Sequence, residues 1–121
     1  MTSESRLSTI AAWILQVLVA VSFLGAGGSK LMGAAPMVEM YNTIGLGQWF
    51  RYVTGVIEVG SAVLVLIPSL AVYGAVLLIC TMIGAITAHF TVLHSPATGP
   101  IVLVCLAGAV AWLRRPRPAA R

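Results

Sequence analysis

The chain contains no aspartate, and its only acids are three glutamates. Charged residues make up 8% of its 121 residues, and hydrophobic ones 60%. A soluble domain of this length needs far more charge to cover its surface. That shortage excludes an ordinary soluble fold and indicates a polytopic membrane protein. The length allows one small domain, residues 1–121. Cysteine is also scarce. Cys80 and Cys105 lie deep in separate apolar runs and belong to no CxxC or Cys/His metal pattern. They read as small packing residues, able to form a bridge only if their helices meet at equal depth. No Ser/His/acid or Cys/His constellation is present, so no catalytic residue is assigned. One histidine plus one glutamate within the apolar runs is too few ligands for a metal or haem site. The formal charge is +4, but no basic-aromatic patch tracks a phosphate backbone, so nucleic acid is not an expected partner.

Four apolar runs fill the chain, at about residues 8–32, 52–67, 70–91 and 96–113. A transmembrane helix needs roughly 20 residues, so the second and fourth are expected to borrow a few flanking residues or to bury their ends in protein. The expected fold is all-α, an antiparallel up-down bundle of four membrane helices. The first run follows Arg6 and is longer than a signal-peptide core, so it reads as a retained span. Pro68-Ser69 predicts a tight hairpin between spans two and three, and Ser95-Pro96 predicts an N-cap and first turn for span four. Between spans one and two, Met37, Met40, Tyr41 and Ile44 recur at i, i+3, i+4 and i+7. That face predicts a short helix at the membrane surface within residues 33–48.

Positive charge sets the orientation. Arg6, Arg114, Arg115, Arg117 and Arg121 flank one side, the last four in a short basic tail, residues 114–121. Lys30 and Arg51 flank the other. The positive-inside rule places both termini in the cytoplasm, in a multi-pass protein of the inner (plasma) membrane.

One residue breaks the apolar pattern sharply. In RYVTGVIEVGSAVLVLIP, Glu58 lies seven residues beyond Arg51, roughly 10 Å along a helix. A lone carboxylate in hydrocarbon costs at least about 2.5–3.5 kcal/mol. It must take up a proton or find a cation, and it is expected to face the bundle interior. Lys30 and His89 lie in the outer turns of spans one and three, at a similar depth. Side chains lean toward a helix's N-terminus, which tilts all three toward one level. Arg51 and Thr54 share the face of Glu58, at i−7 and i−4. Gln16 falls on the stripe Gln16, Ala20, Phe23, Gly27, Lys30 and extends the polar seam inward. The small residues of GAGG, 25–28, together with Gly55, Gly60 and Ala62, predict close helix approach. The expected site is therefore a polar pocket in the outer half, built from Lys30, Arg51, Thr54, Glu58, His89 and Gln16.

The segments GAGGSKLMG, TGVIEVGSAVLVLIP and MIGAITAHF together resemble the DoxX and DoxX-like membrane proteins over roughly residues 10–113. The resemblance carries Lys30, Glu58 and His89 onto that family's polar positions and implies the same four-helix fold. Its members include subunits named for thiosulfate:quinone oxidoreduction, proteins resembling partners of secreted redox enzymes in bacterial envelopes, and an animal endoplasmic-reticulum chaperone for nicotinic receptor assembly. The leading expectation is a non-enzymatic accessory or assembly protein, chaperone-like, that binds a lipid-like ligand or a partner helix. The partners expected are membrane lipids, another membrane or envelope protein, and a second copy of the chain. A quinone-linked redox subunit, with quinone or bound lipid in the pocket, is the first alternative. A small proton-coupled transporter is the second.

Overall fold

A computed structural model describes residues 3–116. Arg117 and Arg121, which entered the charge count above, lie outside the described residues. All regular structure among the described residues is helical. The order is α1 (Ser3–Met32), α2 (Ala35–Ile44), α3 (Gln48–Val65), α4 (Ala71–Ala88), a π-helical turn (His89–Leu93) and α5 (Thr98–Leu113).

Local chemistry ends each helix. Gly33 takes φ +72°, a left-handed backbone that suits glycine. The Gly33 and Ala34 amides then close onto the Lys30 and Ser29 carbonyls at 3.3 and 3.1 Å, a Schellman stop for α1. Pro36 sits in the first turn of α2, and Gly45 at φ 84° returns its amide to the Tyr41 carbonyl. The α4 helix widens after Ala88 into the π turn. It stops at His94, which is itself left-handed at φ 48°.

Three boundaries differ from the sequence reading. The helix expected from 52 starts at Gln48, and Arg51 is buried within its first turns. A full turn, residues 66–70, separates α3 from α4, and no side chain caps α4. Ser95 does not cap α5 either. That helix starts at Thr98 without a side-chain cap, with Pro100 in its first turn, while the Ser95 hydroxyl serves His89 instead.

Helix α1 packs along α3, α3 against α4, α4 against α5, and α5 back against α1. Their shared core includes Val19, Phe23, Val65, Leu78, Met82 and Val110. Alanines fill the tighter layers, among them Ala62, Ala75 and Ala107, all fully buried. Glycine sets the closest approaches. A Cβ on Gly27 would lie 2.8 Å from the Val59 side chain and 3.0 Å from the Gly55 carbonyl, and one on Gly74 would lie 2.6 Å from the Ser61 carbonyl. Gly25, Gly28 and Gly60 have open space at that position, so the sequence reading spread the small-residue contacts too widely.

The outer surface is apolar. Ile14, Val21, Val56, Tyr73, Ile83 and Val102 are all exposed. The stretches Arg6–Met32 and Ala71–Leu93 are long and apolar enough to cross a membrane, and Thr98–Leu113 is apolar but shorter. Cys80 and Cys105 are free and exposed. They neither pack in the core nor bridge, because Ala75, Leu78, Ala107 and Val110 occupy the buried faces of α4 and α5.

Candidate functional site

Glu58 is 1% exposed and Lys30 9%. The Lys30 ammonium lies 2.9 Å from Glu58 Oε1 and donates to Oε2 at 3.0 Å. The pair exists because of the glycine contact between α1 and α3. Gly27 and Gly55 bring the two backbones together, and Lys30 and Glu58 each stand three residues from one of those glycines. A charge-assisted pair with both oxygens engaged offsets much of the cost of removing two ions from water.

Arg51 does not join the pair. Its Nη1 donates to the Lys30 carbonyl, and its Nε donates to Gln48 Oε1 at 2.7 Å. A cation at the end of α1 also meets the negative pole of that helix. Arg51 therefore fixes the backbone that carries Lys30 without touching the carboxylate. Gln48 relays the grip to α2, donating to the Asn42 side chain at 2.8 Å and to the Val38 carbonyl at 3.1 Å.

Thr54 likewise serves α2. Its hydroxyl proton is shared between the Phe50 and Arg51 carbonyls, at 3.0 and 3.1 Å. The Tyr41 phenol, 2.6 Å away, is therefore the donor of the Tyr41–Thr54 bond. Burial pushes the Tyr41 phenol above its ordinary pKa, more than the Thr54 bond lowers it. It remains the protonated donor that this geometry requires. Replacement of Tyr41 by Phe is expected to weaken the attachment of α2 by about 0.5–1.5 kcal/mol. Amide hydrogen exchange should then quicken in residues 35–44 while α3 and α4 stay protected.

Beside the ion pair is a cavity of about 380 Å³. The α2 residues Met37, Met40, Tyr41 and Ile44 line it, opposite Met82, Ala85 and Leu103 of α4 and α5. Polar residues in its lining include Lys30, Tyr41, Thr54, Glu58, Thr81 and His89. The helical face read from the sequence as a membrane-surface face is thus the roof of a cavity. His89 shares this cavity, but its Nδ1 pairs with the Ser95 hydroxyl at 2.7 Å. That bond fixes the ring across the π turn.

Gln16 is elsewhere. It is fully buried but stands fourteen residues from Lys30 on α1, about 21 Å along the axis. It donates to the Val65 carbonyl and accepts from Arg114 Nε, both at 2.8 Å. Its place on the Lys30 stripe correctly indicates burial; the stripe runs almost the length of α1, so sharing it does not mean sharing a site. Three contributors were not picked out as site residues, Tyr41, Ser95 and Met82. Tyr41 carried a signal, because it lies on the apolar face of α2. Ser95 carried none, since the π turn that brings it back to His89 has no sequence signature here.

No group of three or more His, Cys, Asp or Glu is placed to hold a metal ion among the described residues. The site offers one neutralised ion pair, a phenol, hydroxyls and a large apolar wall. That composition suits binding of an apolar molecule with a polar end. No curated protein and no solved structure matches the chain. Residues 14–112 match the model of the DoxX-like family, a stretch that holds the ion pair, most of α1, all of α3 and the whole cavity lining. On that match, the chain belongs to the DoxX-like family.

Proposed function

We propose that this protein is a membrane accessory or assembly factor that holds a lipid-like molecule in the cavity beside Lys30 and Glu58. One observation carries the reading: a mostly apolar chamber of about 380 Å³ ends on a buried ion pair. That volume falls in the range of small-molecule pockets, roughly 300–1,000 Å³. A partner helix, about 10 Å across with its side chains, needs a wider groove, so a small amphipathic ligand is favoured over a helix. Both oxygens of Glu58 are engaged by Lys30, and Ser95 holds His89 Nδ1. This favours binding over the proton relay that a quinone-linked redox subunit or a proton-coupled transporter would use.

The same reading places the four long helices across the plasma membrane as one antiparallel bundle. Its support is the two spanning-length helices and the apolar outer surface, which water would not tolerate at this extent. With Arg6, Arg114 and Arg115 at one end, both termini face the cytoplasm and the cavity opens in the outer half. The partner it assists is another membrane or envelope protein, or a second copy of itself.

Native mass spectrometry of the detergent-purified protein tests the ligand directly. The wild type should retain an apolar species. Gly84 lines the cavity and has open space at its Cβ position, so Gly84→Leu should fill the chamber and expel that species. Glu58→Gln should reduce its retention. Undiminished retention in both variants would remove the reading.

A further inference from the structure

The far end of the molecule has a second hollow of about 320 Å³, lined by Ser8, Thr9, Pro68, Arg114 and Arg115 among others. Its described lining includes two arginines and no acid. Arg114 is held in a defined pose. Its Nε donates to Gln16 Oε1 at 2.8 Å, Gln16 is anchored on the Val65 carbonyl, and the guanidinium carbon lies 5.5 Å from the Trp13 ring centre. Its Nη2 is buried and has no hydrogen-bond partner among the described residues. Arg115 is steadied by stacking on Trp112, 3.7 Å from that ring centre.

A buried donor without an acceptor is costly, and a guanidinium without a countercharge more so. Folded proteins seldom leave both in one place unless something else completes them. Binding Nε to a buried glutamine orients the fork, and among the described residues no carboxylate answers its charge. Ser8 is in the same lining, and a serine hydroxyl can donate to the oxygens of an anion. Planar arginine forks match phosphate oxygens in spacing and charge. We propose that this hollow binds a phosphate group of net negative charge, either free phosphate or the headgroup of an anionic phospholipid. Arg114 is the main ligand and Arg115 supplies the second charge. The headgroup form rests on the membrane reading proposed above; the free-phosphate form does not.

The test uses the full-length protein in detergent, with native mass spectrometry against equimolar phosphatidylglycerol and phosphatidylcholine, and separately against sodium phosphate. The expected result is about tenfold better retention of phosphatidylglycerol, or stoichiometric binding of phosphate, with either lost in Arg114→Gln. Ser8→Phe should abolish the same binding by filling the hollow, and it decides the matter if Arg114→Gln fails to fold. Glu58→Gln, in the other cavity, should leave it unchanged. Displacement of the retained lipid by millimolar phosphate, or phosphate binding alone, identifies free phosphate as the source. Lipid retention that phosphate does not disturb identifies the headgroup. Equal retention of both lipids with no phosphate bound overturns the proposal, as does a preference that survives in both hollow variants.

Discussion

Replacement of Lys30 by methionine, with Glu58 left in place, is expected to destabilise the folded protein by about 3–5 kcal/mol. The cause is not the lost attraction alone. Glu58 is 1% exposed and has Lys30 as the partner of both its oxygens. Without Lys30 a buried carboxylate remains at the cavity wall, with no other hydrogen-bond donor to it among the described residues. The reverse replacement, Glu58→Gln, should cost less, because Lys30 stands near the end of α1 and can turn its long stem outward. The double change Lys30→Met with Glu58→Leu is the decisive comparison. Replacing a buried pair by apolar groups is often neutral or stabilising, so this variant should recover most of the loss while forfeiting the ligand. Unfolding in detergent, followed by the fluorescence of Trp13, Trp49 and Trp112, measures all three. A double variant as unstable as Lys30→Met alone would show that the pair does not carry the effect.

The second large effect is expected at Gly74, where Gly74→Val should destabilise by about 3 kcal/mol, the upper part of the usual cost of overpacking. The obstruction is backbone. A Cβ there would meet the Ser61 carbonyl at 2.6 Å and the Val65 amide nitrogen at 2.9 Å. A carbonyl held inside the last turns of α3 cannot swing aside as a side chain would, so α3 and α4 must separate. Separation would also disturb Gln16, whose amide is held by the Val65 carbonyl. Gly60→Ala is the control on the same helix pair. Nothing lies within 4 Å of its Cβ position, and a change within about 0.5 kcal/mol is expected. Similar losses at Gly60 and Gly74 would contradict the close-contact account.

These contrasts also show what could be read in advance. The burial of Gln16, Phe23, Gly27 and Lys30 followed from a single helical stripe, because a stripe repeats with the helix and needs no knowledge of neighbours. The partnership of Lys30 with Glu58 followed from energy: a buried acid needs a cation, and few were at hand. The roles of Arg51 and Thr54 did not follow. Sharing the face of Glu58 does put Thr54 in the same cavity lining, although its hydroxyl is bound by Tyr41; Arg51 shares that face too, yet turns to the end of α1 and is not in the lining. Periodicity gives direction around an axis and says little about which of two adjacent elements claims a side chain. The face of α2 was legible residue by residue. Its destination was not, because an apolar stripe looks the same whether it lies on a bilayer or on a cavity.

The Lys30–Glu58 pair also constrains how the chain is made. The two residues are 28 positions apart, so a ribosome releases the base well before the acid. In a membrane, α1 must enter while its ammonium still lacks a counterion, at a cost of about 2.5–3.5 kcal/mol if held at mid-depth. A position near the helix end softens that cost until α3 arrives. The smallest electroneutral unit is therefore the hairpin of α1 and α3, and a chain truncated between them would be released from biosynthesis with its lysine stranded.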